Sequence, residues 1–318
     1  MGRAGSGRGV SVDSNTFSAV TVRAPAKLTL TLRVLGTRPD GFHELEALTV
    51  MISAPADTLT IGSAPAGKVE LTVIGGSDDV PHDESNLVVR AARAVLPSGT
   101  GARIELKKVT PSGAGLGGGS ADAAAVLRVL RDRHQLDDEL VMEAAVELGS
   151  DVPVCVAGRP VMMRGRGERL DHVELVGELH LVVAKPAFSL ATPPVFRAWD
   201  ALGEPTSDRA VAAPSAVSHL VTELVNDLEL AAEQVTPEVR AFRERLEQVT
   251  GFPALLAGSG SSYWCPVADA DAAATLAQRV ESAMHVQAFA AHVLTGHEPV
   301  TSSPHARDFA AGATDRGG

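Results

Sequence analysis

A glycine-rich stretch is the part of the 318-residue chain whose composition points most directly to chemistry. Residues 111–121 read Pro-Ser-Gly-Ala-Gly-Leu-Gly-Gly-Gly-Ser-Ala, with five glycines among the seven positions 113–119. Because glycine has no Cβ, backbone N–H groups in such a stretch can approach a ligand closely. The alanine-rich segment that follows predicts a helix whose N-terminus adds a positive dipole end. The stretch therefore predicts a cradle for a polyphosphate.

Two common phosphate-binding loops fit this stretch poorly. Residues 113–118 match G-x-G-x-x-G, but Pro111 and the polar pair Lys107 and Lys108 lie where a buried strand should lead into the turn. A nicotinamide oxidoreductase is therefore only a minor alternative. The P-loop pattern G-x-x-x-x-G-K-[ST] does not occur in this stretch. The cradle thus has no lysine of its own, and Lys107 and Lys108 are candidates to supply the cation.

Two charged residues outside this stretch are candidates for catalysis. Lys27 lies in an otherwise apolar strand segment, where it either blocks edge-to-edge pairing or faces an anion or a carboxylate. Asp151 follows Gly149 and Ser150 at a predicted helix-to-strand corner. It is either a turn residue or the group that accepts a proton from an attacking hydroxyl.

The elements that must position these residues alternate irregularly between strand and helix. Strands are predicted at residues 20–35, 45–52, 58–61, 69–74, 102–107, 152–156, 161–164, 180–184, 263–267 and 286–294. Helices are predicted at residues 86–96 with Ser85 as N-cap, from the glycines to residue 133, and at residues 137–148, 216–230, 237–249 and 270–284. The proline-rich residues 192–194 are expected to break the chain. This order predicts an α+β fold rather than a regular βαβ alternation. We expect a disordered start at 1–18, domains at 19–172 and 173–300, and a disordered tail at 301–318.

Composition limits the classes of partner and compartment. The formal net charge of −11 argues against nucleic acid, and the 45% hydrophobic content excludes a wholly disordered chain. Only Cys155 and Cys265 occur, which excludes a disulfide framework and suits a reducing, cytoplasmic compartment. No apolar run reaches about 18 residues, so no membrane span is expected.

Three segments resemble the motifs of the GHMP kinase superfamily. They are Pro-Ala-Lys-Leu-Thr-Leu at 25–30, the glycine-rich stretch at 111–120, and Leu-Ala-Gly-Ser-Gly-Ser at 256–261. Residues 38–44, 86–87, 148–153, 165–168 and 226–229 further resemble the 4-diphosphocytidyl-2-C-methyl-D-erythritol kinase family within it. The resemblance extends from about Val20 to Leu294. It implies a two-domain α+β fold, with an N-terminal domain like ribosomal protein S5 domain 2 and a ferredoxin-like C-terminal domain.

The resemblance also implies an activity. It is ATP-dependent phosphorylation of the 2-hydroxyl of a cytidyl-diphosphate-linked methylerythritol, within non-mevalonate isoprenoid synthesis. ATP is the co-substrate, and Mg²⁺ is expected to bridge its phosphates with help from the Ser120 hydroxyl, without a metal site built by the protein alone. The expected partners are these small molecules, with a monomer or a homodimer as the assembly.

Site residues follow from the matched positions. Lys27 and Asp151 match the catalytic pair, and Asn86 and Lys108 match positions near the adenine. The residues expected to bind the rest of ATP are Pro111, Ser112, Gly113, Ala114, Gly115, Leu116, Gly117, Gly118, Gly119, Ser120 and Ala121. The substrate-binding positions are Phe42 and His43 in the cytosine pocket, Phe196 as the opposing aromatic, and Thr29 near the methylerythritol hydroxyls.

Three residues depart from the family pattern. Thr29 stands where the family commonly has Asn, Phe42 replaces the usual Tyr and keeps its stacking surface, and Ala257 replaces a common Met. The change at Thr29 leaves open a non-catalytic relative that only binds ligand. A GHMP-type kinase with another alcohol is the second alternative, against which the Phe42 and Phe196 pair favours a cytidyl substrate.

Overall fold

A long antiparallel strand pair forms the centre of the molecule. The computed structural model describes residues 17–203 and 224–297 and the backbone of 301–302. Strand β1 (Val20–Thr37) pairs along its whole length with β2 (His43–Ser63), so residues 45–52 and 58–61 belong to one strand rather than two. The middle of β1 is buried, and Lys27, in register with Met51, is only 7% exposed. A lysine buried at mid-strand does not serve to block a sheet edge.

The other strands extend this pair into one sheet. They are β3 (Val69–Gly75), β4 (Ala102–Lys108), β5 (Val161–Gly165), β6 (Arg169–His172), β7 (His180–Lys185), β8 (Leu255–Leu256), β9 (Tyr263–Val267), β10 (Gln287–Leu294) and β11 (Thr301–Ser302). The main order is β11-β1-β2-β10-β7-β9-β8, with β4 and β5 also pairing β2, β3 lying parallel to β4, and β6 pairing β5. Because β10 pairs with β2 through Val293 and Leu294, the sheet continues across the two halves of the chain. The domain boundary at 172/173 stays a prediction.

Helices cover this sheet and complete the cores. They are α1 (Leu87–Val95), α2 (Gly118–His134), α3 (Asp138–Leu148), α4 (Val152–Ala157), α5 (Thr192–Ala201), α6 (Glu229–Val235), α7 (Glu238–Thr250) and α8 (Ala270–Met284). The alanine-rich α2 is buried along most of its length. Since alanine side chains are small, α2 can pack closely, and its N-terminal end is held firmly beside β1. In the C-terminal half, the fully buried Trp199 and Tyr263 belong to a second core.

Several local predictions were wrong, each for a physical reason. Residues 152–156 form helix α4 instead of a strand, because a short apolar run buried on all sides carries no periodicity that separates the two. Asp151 consequently lies between two helices. The N-cap of α1 is Asn86 rather than Ser85. The prolines at 193–194 begin α5 instead of breaking the chain, since proline suits the first turn of a helix.

The ends of the described ranges also differ from expectation. Phe17 donates its N–H to Ser63 Oγ at 2.7 Å, so order begins before residue 19. The backbone of Thr301 and Ser302 pairs with β1, and the rest of the expected tail lies outside the described residues. The predicted helix at 216–230 falls largely outside them too, and within them helix begins only at Glu229. In the described ranges no helix has the length and apolar character needed to cross a membrane.

Candidate functional site

A lysine–aspartate pair lies at the centre of the candidate site. Lys27 Nζ is 3.3 Å from Asp151 Oδ2, and the two side chains are 9% and 32% exposed. Strand β1 holds the lysine, while the turn between α3 and α4 holds the aspartate. The Lys27 backbone N–H donates to Leu116 O at 3.0 Å, which joins the pair directly to the glycine-rich loop. The structure thus brings together two candidates that are distant in sequence.

Two glycines let this loop fit into its place. Gly117 has φ +62°, and a Cβ there would lie 2.7 Å from Lys27 Cγ. Gly115 has φ +75°, and a Cβ there would lie 2.5 Å from Ala257 O and 2.6 Å from Gly260 O. A side chain at either position would therefore press on Lys27 or on the loop at 257–260. The three sequence motifs are packed against one another at these glycines.

The glycine run also provides the start of a helix. Helix α2 begins at Gly118, and the Ala121 N–H already donates to Gly117 O at 2.8 Å. The backbone N–H groups of residues 118–120 belong to the first turn, where a helix leaves donors without intrahelical partners. Together with the dipole end, they can bind an anion. The half-buried Ser120 places a hydroxyl in the same turn.

A cleft of about 780 Å³ opens beside the first residues of the loop. Its walls come from the β3–α1 connection, the end of β4, the end of β7 and the α8–β10 connection. The lining residues are Gly76, Ser77, Asp79, Lys108, Val109, Thr110, Pro111, Ser112, Lys185, Pro186, Ala187, Ser189, His285, Val286 and Gln287. Ser77 Oγ donates to Ser112 Oγ at 3.2 Å, which links one wall to the loop. The cleft is large enough for a small-molecule ligand.

Lys108 is held in a buried ion cluster at the base of this cleft. Its Nζ lies 2.5 Å from Asp57 Oδ2 and 2.7 Å from Asp122 Oδ2. Asp57 also accepts the N–H groups of Val109 and Thr110, at 2.5 and 2.8 Å. The cluster therefore ties β2, the end of β4 and α2 together behind the glycine loop.

The charges of this cluster compensate one another. Burial raises the pKa of Asp122 to about 8 even though Lys108 opposes the shift. Burial lowers the pKa of Lys108, but Asp122 and Asp57 outweigh it and the net shift is upward. Sequence reasoning missed Asp57 and Asp122, although an isolated carboxylate within an apolar helix or strand is a signal of a buried partner. A role for Lys108 at the adenine stays a prediction.

Asn86 has a structural task that the sequence analysis did not assign to it. Its Oδ1 accepts the Val88 N–H at 2.9 Å and caps α1, while its Nδ2 donates to Pro81 O at 2.7 Å. Both polar ends of the side chain are thus bonded within the chain. Contact between Asn86 and a nucleotide stays a prediction.

The aromatic residues pair differently from the expected sandwich. The His43 and Phe196 rings lie 4.6 Å apart between centroids, and His43 Nε2 is 2.6 Å from Asp200 Oδ1. Phe42 is 52% exposed, and the Arg166 guanidinium lies 4.5 Å from its ring centroid. Phe42 precedes β2 and His43 is its first residue, and the two rings contact different partners. The sequence analysis did not identify Arg166 or Asp200 here, and a role for the three ring residues in substrate binding stays a prediction.

Thr29 lies close to the catalytic candidates. It is buried two residues beyond Lys27 on β1, so both side chains are on the same face of the strand. A Cβ built on Gly258 would be 3.7 Å from both Thr29 Oγ1 and Lys27 Nζ. Thr29 and Lys27 thus contact one small space beside the loop at 257–260.

Within the described part of the chain, no group of three or more His, Cys, Asp or Glu side chains could hold a metal ion.

Comparison with known proteins identifies related sequences. Residues 86–159 match the family model described as GHMP kinases N terminal domain. The 4-diphosphocytidyl-2-C-methyl-D-erythritol kinase of Pelotomaculum thermopropionicum is 39% identical over 270 residues, which cover 82% of this chain and 93% of that protein. The protein of the same name from Rhodopseudomonas palustris is 38% identical over 297 residues, covering 84% of this chain and 95% of its own.

Solved structures agree as well. A crystal structure of 4-(cytidine 5'-diphospho)-2C-methyl-D-erythritol kinase aligns with a TM-score of 0.73 at 33% identity, covering 87% of this chain and all 100% of that one. An L. major mevalonate kinase aligns with a TM-score of 0.67 at 16% identity, over 90% of this chain and 99% of its own, which shows a shared fold alone. The chain has the α+β fold of the GHMP kinases and belongs to the 4-diphosphocytidyl-2-C-methyl-D-erythritol kinase family.

Proposed function

We propose that this protein is an ATP-dependent kinase that phosphorylates the 2-hydroxyl of 4-diphosphocytidyl-2-C-methyl-D-erythritol, a step of non-mevalonate isoprenoid synthesis. The observation that carries the proposal is the Lys27–Asp151 pair, 3.3 Å apart and hydrogen-bonded through the Lys27 backbone to the glycine-rich loop. A phosphate cradle next to a carboxylate that can accept a proton and a lysine that can stabilise negative charge suits transfer of a phosphoryl group to an alcohol. Membership of the kinase family supports the choice of acceptor.

The chemistry assigned to the pair follows from the nature of phosphoryl transfer. Its transition state is loose, so the enzyme contributes mainly positioning and charge stabilisation. Asp151, which is partly exposed, orients the acceptor hydroxyl and takes its proton as the oxygen bonds to the γ-phosphorus and ADP leaves. Lys27 holds the Asp151 carboxylate in place and stabilises the negative charge that develops between nucleophile and phosphoryl group. First-turn N–H groups of α2 bind the phosphate oxygens.

Mg²⁺ is the second component that this reaction class needs. The ion dehydrates reluctantly and is usually held by one or two protein groups together with substrate phosphates. The half-buried Ser120 offers its hydroxyl beside the cradle. When bound, Mg²⁺ neutralises phosphate charge.

The acceptor is proposed to lie beside the Lys27–Asp151 pair. Thr29 is the polar neighbour of the pair there, and Phe42 offers an exposed ring for stacking with the cytosine. His43 and Phe196 form a preformed aromatic contact fixed by Asp200. An aromatic group of this kind suits a nucleobase better than a plain small alcohol.

The test is a coupled assay of ADP release over several alcohols. Purified protein with MgATP is offered the cytidyl-linked acceptor, mevalonate and homoserine in parallel. We expect turnover with the first alone, and its loss in Asp151→Asn but not in Asp138→Asn, which removes an exposed carboxylate of α3. Turnover with another alcohol in preference would assign a different GHMP-type kinase. No turnover with any of them would contradict catalysis and favour a ligand-binding relative.

A further inference from the structure

Lys185 is a buried lysine whose charge has no carboxylate partner among the residues that the structure describes. It ends strand β7 and is 8% exposed. Its Nζ donates to Pro186 O at 2.9 Å, to Phe188 O at 2.7 Å and to Ser189 Oγ at 3.3 Å. These neutral oxygens satisfy the N–H groups but do not cancel the positive charge, and burial lowers the pKa of Lys185.

The other two buried lysines of the site differ from Lys185 in this respect. Lys108 contacts two buried aspartates, and Lys27 contacts Asp151. Both therefore have a counter-charge supplied by the protein itself. A buried cation without one is costly unless another anion compensates it.

Lys185 also lies where an anion is expected. It lines the same cleft as Pro111 and Ser112 at the start of the glycine-rich loop. A Cβ on Gly113 would be 3.0 Å from Ser189 Oγ, the atom that accepts the longest Lys185 hydrogen bond. Ser261 Oγ lies 3.2 Å from Gly113 O and 3.0 Å from Phe188 O, which also accepts from Lys185. Lys185 is thus connected to Gly113 of the phosphate cradle through Ser189 and, by a second route, through the Phe188 carbonyl and Ser261.

We propose that Lys185 is the cation that the C-terminal half supplies to the polyphosphate of the bound nucleotide. It compensates for a glycine loop that contains no lysine, and the bond to the exposed Ser189 hydroxyl is the one that yields to a phosphate oxygen. The inference rests on the proposed function insofar as it takes this cleft to be the ATP site. It adds a charged contact between the nucleotide phosphates and Lys185 at the end of β7.

Calorimetric titration with ADP and with adenosine tests this role without turnover. The full-length chain is compared with Lys185→Met, Lys185→Arg and the matched control Lys68→Met, which removes an exposed lysine elsewhere. In Lys185→Met we expect the Kd of ADP to rise about tenfold or more, as for loss of a charge-assisted contact, while the Kd of adenosine stays within about twofold. Lys185→Arg should restore most of the ADP affinity, and Lys68→Met should bind ADP like the wild type. Added salt should weaken ADP binding more in the wild type than in Lys185→Met.

Several results would overturn the proposal. Unchanged ADP affinity in Lys185→Met excludes the contact, and an equal loss for adenosine means that Lys185 only supports the backbone at 186–189. If Lys185→Met does not fold, Lys185→Gln keeps an N–H donor without the charge and is judged by the same two outcomes. Because ADP binding needs no acceptor, a wild type that binds ADP but phosphorylates no acceptor refutes the proposed function and leaves Lys185 to be judged by its own titrations. A wild type that binds no ADP overturns both.

Discussion

Replacing Gly117 by alanine should disable the site by moving Lys27. The added Cβ would lie 2.7 Å from Lys27 Cγ and 3.1 Å from Lys27 Cε. Real Cβ atoms do not approach carbon so closely, so the lysine chain must shift. Its ammonium lies 3.3 Å from Asp151, and a shift of about 1 Å breaks the alignment of the pair with the acceptor.

Gly117→Ala should have two separate effects, a loss of stability that lowers Tm and a loss of activity that lowers kcat. Gly117 has φ +62°, and a left-handed conformation costs a non-glycine residue about 1–2 kcal/mol. For a chain of 318 residues that lowers Tm by roughly 1–3 °C, because the entropy of unfolding grows with chain length. Displacement of one stabilising charge typically lowers kcat by about 10²–10³-fold. The KM for ATP should change far less, because the backbone N–H groups of α2 remain.

Gly251→Ala is the matched control for the first part. Gly251 ends α7 with φ +79°, and a Cβ there would meet no atom within 4 Å. It should lose similar stability and keep full kcat. Thermal melting by circular dichroism and coupled ADP release measure the two quantities. A normal kcat in Gly117→Ala, or an equal loss of kcat in Gly251→Ala, would refute the reasoning.

Three further predictions address the catalytic pair, the acceptor pocket and the buried ion cluster. Asp151→Asn and Lys27→Met should each lower kcat by about 10²-fold or more. Because both residues act on one hydroxyl, the double variant should lose much less kcat than the product of the two single losses. Strictly multiplicative losses in steady-state kinetics would mean that the two residues act independently. Phe42→Ala should raise the KM for the cytidyl acceptor, because stacking on an aromatic ring is worth about 1–3 kcal/mol per base, and should leave the KM for ATP nearly unchanged. Equal effects on both KM values would exclude stacking of the cytosine on Phe42. Burial raises the pKa of Asp122 from 3.8 to about 8, so the stability that its protonated form contributes is complete below the lower value and lost as pH rises through the higher one. The Tm of the wild type should therefore fall relative to the Tm of Asp122→Asn as the pH is raised from 5 to 9. A Tm difference between the two proteins that stays constant over this range would contradict the raised pKa of Asp122.

The parts of the site that depend on local chemistry were predictable from sequence. The glycine run at 113–119 implied a phosphate cradle because only glycine allows such an approach of the backbone. Lys27 stood out because a charge in an apolar strand is uncommon. Asp151 could also have been an ordinary turn residue, and its position was singled out by the resemblance to the kinase family. The sequence around either residue does not reveal that their side chains lie 3.3 Å apart in the structure.

Features set by distant packing were not predictable in this way. The Asp57–Lys108–Asp122 cluster joins three elements, and no local pattern ties Lys108 to either carboxylate. Helix α4 is a short apolar run, so its conformation is decided by the helices around it rather than by its own periodicity. The His43–Phe196 contact depends on which face of β2 the His43 side chain takes and on where α5 places Phe196. A shift of one residue at the start of a strand reverses the first of these.

The central claim is that the Lys27–Asp151 pair directs the γ-phosphoryl group of ATP to the 2-hydroxyl of the cytidyl-linked methylerythritol. Its most direct test is nuclear magnetic resonance of the product made from acceptor labelled with ¹³C in the methylerythritol unit. We predict one new phosphomonoester per ADP formed, with the signals of C2 and of its methyl carbon split by phosphorus, and no such product from Asp151→Asn. A phosphomonoester on another carbon, or ADP formed without a phosphorylated acceptor, would contradict the account.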